Sequence, residues 1–221
     1  EGLVLRHVLE HIPQPLDFLA ELREANGGGG TIFIEVPCLD WISAHRAWFD
    51  IFYEHVNYFR LDDFRRMFGR VLESGHVFGG QYLYVVADLA SLRDPAAGGG
   101  VHFKFPSDFT ASVARYADQM RARQSAPGTA GSSVIWGGAS KGVIFSLFMQ
   151  RAGAKVDCVV DINPAKQGRY LAATGLRVSS PEDMLRQAAA GSDIYVMNGN
   201  YLPEIRQMTQ DRFNYLTVDH E

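Results

Sequence analysis

The residues best placed to do chemistry are Tyr53-Glu54-His55, set in an aromatic stretch running from Leu39 to Phe59. An imidazole titrates near neutrality and can take a proton from a carbon beside a carbonyl. A neighbouring carboxylate can orient that imidazole or raise its pKa. Adjacent residues in a strand point to opposite sides, so Glu54 and His55 can cooperate only in a loop or turn. The competing reading is a histidine buried and hydrogen-bonded among aromatics. A second group is His7-Val8-Leu9-Glu10-His11, an H-x-x-E-H spacing. Zinc hydrolysis would need both histidines on one helix face with the glutamate beside the metal. Here the run follows a strand, Pro13 comes two residues after His11, and no third ligand stands at a recognised spacing. The expectation is therefore no metal, and a strand-end loop beside a pocket, where open α/β sheets bind their ligands.

The third group is Gly137-Gly138-Ala139-Ser140-Lys141-Gly142, between a strand and a helix. It is a G-x-A-x-x-G variant of the dinucleotide loop, and Asp161, at the end of the next strand, approximates the acid that binds a ribose. It is not a P-loop, because Lys141 precedes Gly142 and no Ser or Thr follows the lysine. A lysine at a helix N-terminus opposes the helix dipole, so Lys141 should face away or meet an anion. A tight strand–helix turn without a ligand is the alternative. Downstream, Lys166 and Arg169 lie in a polar turn where they could hold a phosphate, or simply be solvated. Cys38 and Cys158 read as small apolar residues.

The elements that must position these groups alternate. Leu3-Val4-Leu5 reads as a strand, a helix opens at Pro15 with Phe18, Leu19 and Leu22 as its apolar stripe, and the turn 27–30 ends it. Thr31 to Val36 is the next strand, so the opening segment reads β-α-β with a parallel pair. Leu61 to Phe68 is a short helix, and Arg70 to Leu72 and Tyr82 to Ala87 form a hairpin around Gly79-Gly80. Asp94 to Gly100 reads as a linker, Phe109 to Arg123 as a helix crossing between domains, and Pro127 to Ser133 as a second flexible stretch. The rest repeats the rhythm: strands at 133–136, 156–161, 193–197 and 215–218, with helices after the glycine loop, at Pro181 behind a Ser180 cap, and at Pro203.

Composition bounds the rest. The chain has 221 residues, 47% hydrophobic and 21% charged, enough for a sizeable core and one or two domains. The net charge of -4 excludes a broad basic face for nucleic acid. No apolar run approaches the length of a membrane span, and residues 1–5 carry no basic region of a signal peptide. Two distant cysteines give no disulfide framework, so a cytoplasmic setting is the default. The chain opens inside an apolar strand-like run, as if something preceded it.

The run Arg6 to Pro13, the glycine turn 27–30 and Ile34-Glu35-Val36-Pro37 resemble the second half of a class I S-adenosylmethionine-dependent methyltransferase domain. Tyr53-Glu54-His55-Val56-Asn57-Tyr58-Phe59 resembles the catalytic segment of the sugar C-methyltransferase branch. Gly137 to Gly142 with Asp161 to Tyr170 resembles the Rossmann-like C-terminal domain of those enzymes. The resemblance implies an α/β chain: part of a methyltransferase sheet with a β-hairpin over residues 1–89, a linker and crossover helix over 90–132, and a Rossmann-like three-layer domain over 133–221. It implies methylation of a nucleotide-linked keto-deoxysugar, with S-adenosylmethionine as cofactor and His55 as base, supported by Glu54. The family pattern has a tyrosine where this chain has Phe52, so Tyr53 or Tyr58 would have to supply that phenol. Groups expected to bind substrate or cofactor are Glu10, His11, Tyr58, Gly137, Ser140, Lys141, Asp161, Lys166 and Arg169. The family's zinc-binding region and glycine-rich cofactor loop would lie upstream of Glu1, and the chain alone is expected to bind the cofactor poorly. The rival is a non-catalytic nucleotide- or NAD-binding or assembly module built on the glycine loop. An exposed edge strand would favour association into homo-oligomers.

Overall fold

The computed structural model describes residues 2–95, 103–125 and 131–218. The chain forms two compact units, one of Glu1–Ala44 and Tyr53–Pro106, the other of His45–Phe52 and Ser107–Glu221. Much of the linker expected at Asp94–Gly100 and of the flexible stretch expected at Pro127–Ser133 lies outside the described residues.

In the first unit, β1 (Gly2–Arg6) and β2 (Thr31–Pro37) pair in parallel, with α1 (Pro15–Ala25) between them. Pro15 stands at the start of α1, where its missing N–H costs nothing. The helix stops at the glycine turn: Gly28, at φ 89°, donates its N–H to the Arg23 carbonyl, a backbone turn a side chain resists. β3 (Val71–Val77) and β4 (Tyr82–Asp88) form the expected hairpin, and β4 runs antiparallel beside β2. The strand order is β1-β2-β4-β3, a mixed sheet. Alternate residues of β4, namely Leu83, Val85 and Ala87, are fully buried with Ile32 and Ile34 of β2, the period-two pattern of a strand with one buried face. Two short helices, α2 (Leu39–Ala44) and α3 (Leu61–Met67), complete the unit. The Arg60 N–H donates to the Asp63 carboxylate at 2.8 Å and fixes where α3 begins.

The second unit is a five-stranded parallel sheet of order β7-β6-β5-β8-β9. Its strands are β5 (Ser133–Trp136), β6 (Cys158–Val160), β7 (Val178–Ser179), β8 (Asp193–Val196) and β9 (Asn214–Thr217), all in parallel register. The chain starts in the middle, at β5, builds outward to β7, then returns to lay down β8 and β9 on the other side. That is a doubly wound sheet with its switch point between β5 and β8. Every residue of β5 and β8 is buried, as central parallel strands require. One face carries Val134, Trp136, Ile194 and Val196 against Met184 of α6 (Pro181–Gln187) and Ile205 of α7 (Leu202–Met208). The Ser180 hydroxyl accepts from the Asp183 N–H at 3.1 Å and caps α6. On the opposite face, Tyr195 packs with Phe145 of α5 (Ser140–Arg151) and Tyr116 of α4 (Ala111–Ser125).

The aromatic stretch 39–59 is not one element. Residues 45–52 leave the first unit and strap onto the second. Trp48 stacks on Phe145 with ring centroids 5.7 Å apart, lies against Phe148 at 4.9 Å, and donates its Nε1–H to the Ser112 hydroxyl at 2.8 Å. Arg46 pairs with Asp108 at 3.2 Å, and Asp50 pairs with Lys141 at 3.1 Å. Among the described residues, no helix is long and apolar enough to cross a membrane.

Candidate functional site

The loop after β1 and the turn that follows the strap build one cluster in the first unit. Leu9–His11 forms a single 3-10 turn, so His7 and His11 do not share a helix face. His7 sits in the left-handed backbone region at φ 53°, a strain that recurs at functional sites. The backbone holds the two segments together: the Val56 and Asn57 N–H groups both donate to the Glu10 carbonyl, at 2.9 and 3.1 Å. The Asn57 side chain donates to the Ile12 carbonyl at 2.6 Å. Tyr53 and Glu54 form a turn, the setting in which adjacent side chains can cooperate.

His11 Nδ1 lies 2.7 Å from the Glu54 carbonyl oxygen. A carbonyl only accepts, so Nδ1 carries the proton and the His11 Nε2 lone pair faces the other way. The His11 and His55 rings meet edge to face, with centroids 4.9 Å apart, and Tyr58 lies 5.9 Å beyond His55. Burial is the main force that lowers the His55 pKa, to about 4, with the neighbouring His11 adding to it and Glu54 opposing it. His55 is therefore neutral at pH 7, the form in which an imidazole can take up a proton. Glu10 is 1% exposed, and among the described residues neither carboxylate oxygen has a hydrogen-bond partner at 3.5 Å or less. Burial raises its pKa, against smaller opposing contributions from its own backbone, His11 and His7.

Tyr53 is exposed, and its hydroxyl donates to the Glu54 carboxylate at 3.3 Å. Of the two phenols that could stand in for the tyrosine replaced by Phe52, Tyr58 packs against His55, whereas Tyr53 engages Glu54. Glu35 and Arg6 were not among the expected site groups. The buried Glu35 carboxylate takes Arg6 at 3.0 Å and His7 at 3.3 Å, and His7 Nδ1 lies 3.6 Å from Glu10. The signal was present: Glu35 is a lone charge inside the apolar run Ile32–Val36, and a charge buried on a strand needs a partner.

The second predicted group lies in the other unit. The N–H of Gly138 donates to Asp161 Oδ2 at 3.0 Å, the Asn163 N–H to Oδ1 at 2.9 Å, and the Lys166 ammonium to Oδ2 at 3.1 Å. Gln167 donates to the Asp161 backbone carbonyl. A dinucleotide would need the amide of the loop for its pyrophosphate and the acid for its ribose. Here the fold joins those two groups to each other. Lys141 meets an anion, but that anion is Asp50 of the strap. Ser140 opens α5, Gly137 adopts φ 116°, and Arg169 is exposed on the turn after Lys166. Cys38 is buried and Cys158 partly so, both as free thiols.

Residues 2–71 match a methyltransferase domain family. Residues 91–214 match the C-methyltransferase C-terminal domain, more than half of the 221 residues. No curated protein gives a significant match. The clustered histidines and carboxylates thus lie in or beside the methyltransferase match, and the doubly wound sheet falls almost wholly within the other. The chain belongs to the C-methyltransferases, as the family of its C-terminal domain shows.

Proposed function

We propose that this protein carries out S-adenosylmethionine-dependent C-methylation of a nucleotide-linked keto-deoxysugar. The observation that carries the reading is the neutral, partly buried His55 imidazole packed between His11 and Tyr58. Carbon must become a nucleophile before it can be methylated, and a ketone offers a route: loss of the adjacent proton leaves an enolate. His55 takes that proton, and the C–H electron pair becomes the enolate π system. On this reading the Tyr58 phenol, packed against the base, donates a hydrogen bond to the developing oxyanion. Glu54 shapes the turn on which the base stands: its carboxylate holds Tyr53 and its carbonyl holds His11.

The cofactor, when bound, supplies an electrophilic methyl group on a positively charged sulfur. The donor set present suits such a group, because the Glu10 carboxylate is buried without a hydrogen-bond partner and favours a cation. Further gain comes from alignment, which needs no added acid–base group. The sugar nucleotide, a cytoplasmic setting and self-association belong to this same reading.

The test isolates the base. Incubating the protein with a thymidine-diphospho keto-deoxysugar in deuterated water reads proton removal next to the ketone, without methyl transfer. His55→Ala should slow that exchange by about 100-fold or more, the ordinary contribution of a positioned general base. Undiminished exchange in the variant would remove His55 from the mechanism.

A further inference from the structure

We propose that Glu10, His11 and His55 form a binding site for one divalent first-row transition cation that takes imidazole nitrogen and carboxylate oxygen. Each side chain offers one ligand atom, and the three atoms lie within 4.8 Å of one another. In a zinc site the ligand atoms stand about 3.4 Å apart, so closing this set needs only side-chain rotation of about an ångström. Spacing alone would be weak ground, since polar side chains cluster on many surfaces. Two independent observations add to it.

The first is Glu10. Its side chain is 1% exposed, and among the described residues neither oxygen has a hydrogen-bond partner at 3.5 Å or less. His7 stands 3.6 Å from one of them, a long contact, and is closer to Glu35 at 3.3 Å. A carboxyl group buried in this way is costly in either protonation state, because the neutral acid also leaves a donor and an acceptor unmade. A cation at the centre of the cluster gives that carboxylate a charge partner. The second observation is His11. Ligating histidines almost always donate their other ring N–H to a carbonyl or carboxylate, which fixes the tautomer and aims the lone pair. His11 Nδ1 already does this to the Glu54 carbonyl at 2.7 Å, leaving Nε2 as the ligand.

The site is also fixed by the fold. Glu10 and His11 sit on the turn after β1, and His55 arrives from a remote segment held down by the two amides on the Glu10 carbonyl. The ligand set is two imidazoles and one carboxylate, which suits zinc, cobalt, nickel or iron(II) over magnesium or calcium. Three protein ligands leave at least one coordination position open. The histidine that completes the set is His55 and not His7, because the strained turn at His7 sends that ring to Glu35. A coordinated imidazole is no longer free to act as a base. On the methyl-transfer reading, which this one consequence rests on, the loaded site therefore suppresses proton removal.

The experiment reads the ion directly. The chain, stripped with a chelator, is titrated with Zn2+ by calorimetry and with Co2+ by visible absorption. The expected result is one saturable ion per chain and a cobalt spectrum of nitrogen and oxygen ligation, without the thiolate charge-transfer band that Cys38 or Cys158 would give. Glu10→Gln, His11→Ala and His55→Ala should each weaken binding by about tenfold to hundredfold, and His76→Ala should leave it unchanged. His11 is exposed and His55 partly so, so those two variants hold the test if Glu10→Gln does not fold. Absence of saturable uptake overturns the site, and so does uptake that is equal in wild type and the His11 and His55 variants. Because binding is read without substrate, its failure stays separate from failure of the deuterium exchange.

Discussion

Gly142→Ala is a severe perturbation of the second unit, and its size can be worked from the backbone. A Cβ built on Gly142 would stand 2.0 Å from the Gly137 carbonyl oxygen and 3.1 Å from its carbon. A real Cβ essentially never lies within 3.0 Å of such an atom. About an ångström of separation must therefore be found. The loop cannot supply it easily: the Gly137 N–H is tied to the Val160 carbonyl at 2.8 Å and the Met197 N–H to the Trp136 carbonyl at 3.1 Å. Helix α5 would have to move instead, with Phe145 wedged among Trp48, Tyr116 and Tyr195. Overpacking of this kind costs up to about 3 kcal/mol. Alanine returns up to about 1 kcal/mol of helix propensity, which leaves a net loss of about 2 kcal/mol. For a chain of this length that lowers Tm by about 4 to 8 °C. The control is Gly138→Ala, whose Cβ meets Val159, Val178 and Asp161 at 3.4–3.5 Å, ordinary contact. It should stay within about 0.5 kcal/mol of wild type. Urea denaturation followed by tryptophan fluorescence reads both variants, since Trp48 and Trp136 report on this unit. Equal stability of Gly142→Ala and wild type, or a larger loss at Gly138, would refute the packing argument.

Two further outcomes follow from the same geometry. Lys141→Met leaves Asp50 buried without its ion-pair partner, and with both side chains less than a fifth exposed the loss should be about 3 kcal/mol by denaturant titration; wild-type stability would show that the strap is not held there. His55 has a folded pKa lowered to about 4 from 6.5, so the unfolded chain binds more protons between those values, stability falls as pH drops from 6.5 towards 4, and His55→Gln should flatten that slope in a pH series of thermal melts.

The alternation of strands and helices was legible because each element carries its own period and punctuation. Pro15, Ser180 with Pro181, and the glycine turn 27–30 each mark a helix end by local chemistry, and the structure puts helix ends there. The neighbours of those elements were not legible. β4 lies antiparallel against β2 and separates it from β3, a choice that rests on long-range pairing. The two-residue β7 is too short to carry a pattern. The aromatic stretch hid most. Apolar rings say that a segment is buried but not against what, so Trp48 in the second unit and Tyr58 in the first looked alike. In the cluster, Glu10 and His11 were placed at a strand end by sequence. Their meeting with His55 depends on the Val56 and Asn57 amides reaching the Glu10 carbonyl, and backbone hydrogen bonds leave no mark on side-chain order.

The glycine loop shows how a motif can keep its form while its polar groups take internal partners. A helix N-terminus is a ready anion site, since its first N–H groups lack partners and the dipole favours negative charge. In a dinucleotide fold a phosphate answers that demand. Here Lys141, in the first turn of α5, adds positive charge to an end that is already positive, which is tolerable only if an anion is close. Asp50 is that anion, at 3.1 Å, and Phe49 lies under the same ammonium at 5.7 Å. The strap that carries Asp50 is anchored independently by Trp48 on Phe145 and by Arg46 on Asp108. On the other side of the loop, Asp161 takes the Gly138 amide and the Lys166 ammonium. Cation and acid alike are thus matched by residues of the chain itself. Gly142 has a steric reason of its own, because a Cβ there would stand 2.0 Å from the Gly137 carbonyl oxygen. The strand–helix crossing by itself requires a glycine at this position of the pattern.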